Sequence, residues 1–316
     1  MAGIVDRLHR AYGRFRRRIA LRGSGRLTRA ADRSVRVLWQ SPEAAGREIC
    51  YFSSFDRDGV VDAYVWHYLR ELRRTGFDVV FVSTSPSVRP SDLDRLRTAA
   101  SVVVHRENLG YDFYSWKTGL GVFPPRRDTE RVLLANDSVY GPVEPLDDYI
   151  ARMESSPWDA VGLTDSWEIE HHVQSYFLYC KKSLIDGGFL SRFFGAMNVV
   201  STPRAVIRRY EVGFTRAVRE EGFAIGALVD YRHAVEQYAA ESTTGESWHR
   251  ENPTISLWRE LLAHSRSPFI KRKIFRLNPE DTASALTFVG DVLRDRKSAL
   301  TIDVIRNNLT RLGDSS

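Results

Sequence analysis

The chain is 316 residues long, 43% hydrophobic and 27% charged, which excludes a disordered or fibrous protein and leaves room for one large or two modest packed domains. Its net charge of +6 is unevenly spread: residues 1–40 hold eleven arginines against Asp6 and Asp32, while the other 276 residues hold 35 basic and 38 acidic side chains. The body is therefore slightly acidic, and a body-wide basic surface for nucleic acid is excluded as a reading.

Two cysteines, Cys50 and Cys180, are too few for a disulfide scaffold or a four-thiolate zinc site, and a reducing cytosol suits them. No run approaches the roughly 18 apolar residues of a spanning helix, and the first residues lack the uninterrupted apolar core of a secretory signal. The expected location is cytoplasmic.

In chain order, Ile4, Leu8, Ala11, Tyr12, Phe15 and Ile19 recur at helical spacing, with Arg7, Arg10, Arg14, Arg17 and Arg18 on much of the rest of the wheel. This basic amphipathic helix, over about 1–22, either lies in the headgroup layer of an anionic membrane or packs its apolar stripe on the body. Gly23, Ser24 and Gly25 break it, so residues 20–45 read as a tether and 1–45 as arm plus tether.

From residue 48 strands and helices alternate. Strands are predicted at 49–52, 78–82, 101–105 and 132–134, and helices at 60–75, 91–99 and from about 113. Such βα units predict an α/β fold with a mostly parallel central sheet and helices on both faces. Residues 46–235 are expected to form this domain, split near 145 into two halves, followed by a helical extension over 236–316 with helices at 255–264, 279–295 and 299–311. Ligands of such sheets bind beyond the carboxyl ends of the strands, which singles out the loops 53–59, 83–88, 106–112 and 135–142. Each is rich in Ser, Asp, Asn or Gly and is by itself an ordinary turn; together they can converge on one ligand. No dinucleotide glycine fingerprint, triphosphate loop or Gly-x-Ser-x-Gly elbow is present.

Asn108-x-Gly110-Tyr111, a helix, and an apolar strand ending in Asn136-Asp137-Ser138 are similar to the donor-binding half of inverting glycosyltransferases of the GT-A fold. Several longer runs stand in order: 108–117 (NLGYDFYSWK), 134–142 (LANDSVYGP), His172-x-Gln-Ser-Tyr-Phe177, 210–215 (YEVGFT), 252–254 (NPT) and 268–272 (PFIKR). Together they resemble the rhamnan synthesis protein F family over roughly 48–280, with the arm and the last 35 residues outside.

That resemblance implies transfer of a sugar, in rhamnan-type enzymes rhamnose from a dTDP donor, to a lipid-linked cell-surface polysaccharide on the inner face of the plasma membrane. The donor contacts it implies are Ser53, Phe55, Ser83, Asn108, Gly110, Tyr111, Asp112, Lys117, Asn136, Asp137, Lys271 and Arg272. Where the fold carries Asp-x-Asp for its cation, this chain reads Asn136-Asp137-Ser138. Either Asp137 holds Mg²⁺ or Mn²⁺ with water and phosphate, or cationic side chains among Arg106, Lys117, Lys271 and Arg272 neutralise the diphosphate. A turn or helix cap is the plain structural alternative for Asn136-Asp137.

Inversion needs a group to take the acceptor proton. Glu211, in Glu211-Val-Gly-Phe-Thr-Arg216, resembles one member of the acidic pair that opens a helix in family 2 glycosyltransferases; the alternative role is an N-terminal dipole partner. Asp165, His172, Gln174 and Tyr176 are the implied acceptor contacts, the last three sharing a face if the segment is extended. Zinc at His171-His172 is disfavoured because strand neighbours point to opposite faces. The rival from another class is a catalytically silent glycan-binding or scaffolding subunit, for which the missing second aspartate speaks.

Overall fold

The computed structural model describes residues 25–238, 252–277 and 281–313; the amphipathic helix expected over 1–22 and most of the polar loop at 240–252 lie outside them. The first described elements are a helix at 25–33 (α1) and the strand Arg36–Gln40 (β1). The stretch expected as a tether is thus folded from residue 25 onward. Ala31 is fully buried, and Thr28 and Asp32 of α1 bond to Asn198 and Tyr114 on neighbouring elements.

Strand and helix then alternate as expected: Glu48–Ser54 (β2), Ala63–Arg74 (α2), Asp78–Ser83 (β3), Pro90–Ala99 (α3), Val102–His105 (β4), Tyr111–Val122 (α4) and Arg131–Asn136 (β5). The second half begins with Val139–Tyr140 (β6), Asp147–Ser155 (α5), Ala160–Ser166 (β7), His172–Val173 (β8), Phe177–Lys181 (β9), Lys182–Asp186 (α6) and Phe189–Gly195 (α7). One continuous helical run follows, Pro203–Val206 (α8), a π turn at Ile207–Glu211 and Val212–Glu220 (α9), and then Ile225–Val229 (β10) and Tyr231–Tyr238 (α10). The C-terminal part holds Pro253–Ser256 (α11), Trp258–Ala263 (α12), Ile270–Lys271 (β11), Ile274–Leu277 (α13), Thr282–Asp295 (α14) and Ile302–Leu312 (α15).

The large sheet runs β1-β4-β3-β2-β5-β9-β7-β10, with β8 attached to β7. β4, β3, β2 and β5 are mutually parallel, β9 runs antiparallel between β5 and β7, and β10 is parallel to β7. The β2 side chains explain its place at the centre. Ile49 and Tyr51 enter one hydrophobic core while Cys50 and Phe52 enter the other, so the strand is apolar on both faces, as a sheet covered on both sides requires. Residues of α2 and α3 join the first core and residues of α4, α7 and α9 the second. Phe275, Val289, Ile305 and Leu309 of the C-terminal helices belong to the first core, so the helical extension shares the interior of the α/β domain.

Two corrections concern the second half. The βα alternation, which the sequence pattern shows fading after residue 225, continues in the structure: β10 adds a parallel edge strand at Ile225–Val229. The extended reading of 172–176 holds only for the two residues of β8.

The chain order of the sheet reverses at β2, with β3 and β4 on one side and β5 on the other. A crevice opens outside the carboxyl ends of strands at such a switch point. Here the register pairs Ser53 with Asn136, so Ser53-Ser54 and Asn136-Asp137 form its floor.

Candidate active site

The β5–β6 turn is built by Asn136, whose Oδ1 accepts from Ser138 N at 3.1 Å and Ser138 Oγ at 2.6 Å. This is the turn role that Asn favours at such corners. Its amide nitrogen points the other way and donates to Asp112 Oδ2 at 3.2 Å, and Ser53 Oγ donates to Asp112 Oδ1 at 2.8 Å. Asp112 enters on the first turn of α4, where Gly110 (φ 82°) and Tyr111 (φ 59°) are both left-handed. A Cβ at 110 would stand 2.8 Å from Tyr114 Cβ, so glycine is required on steric grounds as well.

Asp137 is turned toward β2. Its Oδ2 accepts from Ser54 Oγ at 2.8 Å and from Phe55 N at 2.9 Å, and its backbone carbonyl accepts from Tyr64 Oη at 3.2 Å and Arg272 Nη1 at 3.1 Å. Burial pushes its carboxyl up to about 6 against the opposing pull of Arg272 and Ser54. Burial likewise raises Asp112 above the usual carboxylate range, with Ser53, Lys271 and Arg106 pulling the other way.

β11 reaches this corner from the C-terminal part by pairing with β6, Lys271 opposite Val139. Lys271 Nζ lies 3.3 Å from Ser138 Oγ and 4.1 Å from the centre of the Tyr176 ring. Burial draws its ammonium down to about 8, although Glu211 and Asp112 favour the charge. Arg272 turns to the opposite side, where Nη1 donates to Tyr64 Oη at 2.5 Å. Burial works against its charge, but Tyr64, Asp137 and Tyr140 more than offset that and hold its pKa above the ordinary value.

Glu211 faces the same space from the helical run. The sequence places it at a helix start; in the structure the helix has already begun at Pro203, and Glu211 closes the π turn inside it. A π turn inserts an extra residue and re-aims the side chains after it, a device common at functional sites. Glu211 Oε1 accepts from Ser175 N and Ser175 Oγ, both at 2.7 Å, and Oε2 lies 4.0 Å from His172 Nε2. The dipole-partner role is therefore replaced by a specific two-donor cradle.

Glu211, Asp112, Asn136, Ser138, Lys271, Tyr111 and Tyr176 line one cleft of about 200 Å³. The other expected residues lie elsewhere or are committed to the protein. Ser83 Oγ accepts from Ser85 N at 3.3 Å, and Asn108 is exposed. Phe55 is exposed beside Asp137. Lys117 Nζ donates to Met197 O at 3.0 Å and Tyr114 Oη at 3.3 Å rather than entering the cleft. Asp165 holds Tyr231 N at 2.6 Å and His171 Nε2 at 2.6 Å. Gln174 accepts from Thr164 Oγ1 at 2.6 Å and donates to Asn252 Oδ1 at 3.0 Å. His172 is buried, with Nδ1 2.8 Å from Glu170 O.

Arg106 is fully buried and donates to the carbonyls of Glu107, Leu109 and Tyr111 and to Ser115 Oγ, while burial draws it down to about 10. It organises the 107–111 loop instead of meeting a phosphate. Ser175, which sequence reasoning passed over, is the residue that orients Glu211; its position directly after Gln174 was the sole hint.

Among the described residues no three His, Cys, Asp or Glu side chains are gathered as a metal site. Asp112 has both oxygens committed to Ser53 and Asn136, and Asp137 offers its Oδ2 to two donors of β2 and the residue after it. This donor set does not fit the divalent cation expected at an Asp-x-Asp motif.

The sheet order and its switch-point crevice, lined by hydroxyls, an amide, carboxylates and one ammonium, define a glycosyltransferase-like α/β domain of the GT-A kind. The chain belongs to the rhamnan synthesis protein F family, whose model matches residues 79–315. The match begins later than the expected residue 48 and runs to the last helix, so the C-terminal residues expected outside the family lie within it. The uncharacterized protein y4gN of Sinorhizobium fredii is 31% identical over 166 residues, covering 51% of this chain and 43% of that protein. The virulence protein VirA of Vibrio anguillarum is 25% identical over 254 residues, covering 74% of this chain and 81% of that protein. The chain thus spans less than half the length of the first of these relatives and about four-fifths of the second. Among solved structures, the mannosyltransferase PcManGT of Pyrobaculum calidifontis, in complex with GDP-Man and Mn²⁺, aligns with a TM-score of 0.35 at 12% identity, covering 93% of this chain and 87% of that one. No helix among the described residues is long and apolar enough to cross a membrane.

Proposed function

We propose that the protein is an inverting glycosyltransferase that moves a sugar, rhamnose or a related hexose, from a nucleoside diphosphate to a lipid-linked cell-surface polysaccharide. One observation carries the reading: Glu211, cradled by Ser175, shares a single cleft at the sheet's switch point with Asp112, Asn136, Ser138 and Lys271. The diphosphate lies over the Ser53–Asn136 floor, and an acceptor hydroxyl approaches from the Glu211 side. As the acceptor oxygen bonds to the anomeric carbon, its proton passes to Glu211, the bond from that carbon to the phosphate oxygen breaks, and the nucleoside diphosphate leaves with the electron pair. Ser175 fixes the direction of the carboxylate, and the exposed Tyr111 offers a face for a sugar or base. Family membership supports dTDP-rhamnose as the donor to try first.

The arginine-rich residues 1–22 supply the second half of the proposal. They hold the enzyme on the anionic inner face of the plasma membrane, where a lipid-linked acceptor resides.

Transfer assays across a panel of nucleotide sugars test the reaction. Turnover with at least one donor is expected, with a Glu211→Gln variant of unchanged stability slowed by about a hundredfold or more. A folded Glu211→Gln protein that transfers at the wild-type rate removes Glu211 from its role. Absence of both turnover and nucleotide binding sinks the enzyme reading in favour of a glycan-binding or scaffolding subunit.

A further inference from the structure

We propose that the Lys271 ammonium takes the place of a divalent cation at the donor diphosphate, so that this chain binds its nucleotide without a metal ion. The inference rests on the nucleotide-sugar reading above and specifies how that site handles charge.

Three observations carry it. First, both oxygens of Asp112 and Oδ2 of Asp137 already accept hydrogen bonds from the protein. Asp112 accepts from Ser53 and Asn136, and Asp137 accepts from Ser54 and Phe55 N. Ser53, Ser54 and Asn136 are themselves buried. A cation that drew these oxygens away would leave buried donors without partners.

Second, Lys271 is the only cationic side chain among the described residues lining the cleft. Arg272 is turned to Tyr64 and the Asp137 carbonyl, Lys117 to Met197, and Arg106 to its own loop. Lys271 ends β11 and Arg272 opens the turn after it, and the two side chains leave in different directions, one to Ser138 Oγ and the other to Tyr64 Oη.

Third, the Lys271 position is fixed rather than left to a long free side chain. β11 pairs with β6 immediately after the Asn136 turn, and the amine rests between Ser138 Oγ and the Tyr176 ring. An ammonium is a compact point charge with three donors, suited to several phosphate oxygens at once, and it repels a second cation placed beside it.

Isothermal titration of the full chain with UDP, dTDP and GDP, each in EDTA and in Mg²⁺ or Mn²⁺, tests the proposal. At least one nucleotide is expected to bind with an affinity that agrees within about threefold with and without metal. Lys271→Met should weaken that binding by about tenfold or more, and Lys271→Arg should recover most of it because the charge returns. The wild-type comparison stands even if a variant fails to fold. Binding that needs metal, or a folded Lys271→Met protein that binds like wild type, overturns the proposal while leaving the nucleotide-sugar reading intact. If none of the three nucleotides binds under any condition, the nucleotide-sugar reading fails, and this proposal with it.

Discussion

Ser175 gives Glu211 both of its donors, backbone N and side-chain Oγ, at 2.7 Å to the same carboxylate oxygen. The second oxygen is left toward His172, 4.0 Å away, and the cleft. If this bond orients a base, Ser175→Ala keeps the backbone donor and loses the hydroxyl. A drop in kcat of about tenfold is expected, smaller than that of Glu211→Gln, with donor KM little changed. An equal rise in donor KM with kcat intact would assign the pair to binding instead.

Nucleotide affinity should depend on pH through Lys271. Its ammonium, drawn down to about 8 by burial, is faced by Asp112 and Glu211, which favour the charge, and by Lys273, which opposes it. Below pH 8 the amine is charged and the diphosphate is held. As pH rises from 8 to 9.5 the charge is lost and affinity should fall, by up to about tenfold per unit. Lys271→Arg, charged throughout this range, should flatten the profile. A wild-type affinity constant between pH 7 and 9.5 would disconnect the lysine from the phosphates.

Asp137 bears on stability with the opposite sign to most carboxylates. Its folded-state value of about 6 lies above the ordinary one, so the native state holds the proton more tightly than the unfolded chain. Above pH 6 its ionised form therefore costs the fold, by about 1–3 kcal/mol, and below pH 4 it costs nothing. Asp137→Asn, whose amide oxygen can still accept from Ser54 and Phe55, should raise the urea midpoint at pH 7.5 and leave it unchanged near pH 4. A variant less stable at pH 7.5 refutes this account.

Arg311 of α15 ties the C-terminal helix to the first strand-end loop. Its guanidinium pairs with Asp56, with Asp58 at 2.9 Å and with Asp62 at 2.9 Å, and Asn308 Nδ2 adds a bond to Asp62 at 2.8 Å. Asp56 is buried, and Arg311 holds its carboxyl below the usual range despite the upward push of burial. Arg311→Met should destabilise by about 3 kcal/mol, because it strands buried charge. A second change, Asp56→Asn, should restore part of the loss; additive losses in the double variant would show that the pair is not coupled.

Deleting residues 1–22 should abolish sedimentation with anionic vesicles and leave transfer to a soluble acceptor intact. At about 1 kcal/mol per basic residue near such a surface, a few of the seven arginines in this segment suffice for reversible attachment. Unchanged vesicle binding would take the arm out of that role.

The first half of the sheet was legible because each of β2, β3 and β5 is an apolar run buried on both faces, and amphipathic helices separate them. β1 was not. Arg36–Gln40 has mostly exposed or half-buried residues, and its strand character comes from pairing with β4, a contact across more than sixty residues that local pattern does not carry. The cleft residues Asp112, Asn136, Lys271 and Glu211 were named from motif resemblance, but the partners that hold each of them in place were not legible. Arg106 and Lys117 look like phosphate ligands in sequence; carbonyl oxygens of their own surroundings claim them. The choice between Lys271 and Arg272 likewise depends on contacts far apart in the chain: Lys271 is placed by β6, and Arg272 by Tyr64 and the Asp137 carbonyl.

Helix α1 gives the arm a particular point of departure. Thr28 and Asp32 fasten α1 to Asn198 and to Tyr114 in α4, and the first residues of α4, Tyr111 and Asp112, line the cleft. The described part of the chain therefore begins beside α4, the helix whose first residues line the cleft. An acceptor confined to the membrane face proposed for residues 1–22 would then reach Glu211 by lateral diffusion alone, exchanging a search through volume for one across a plane.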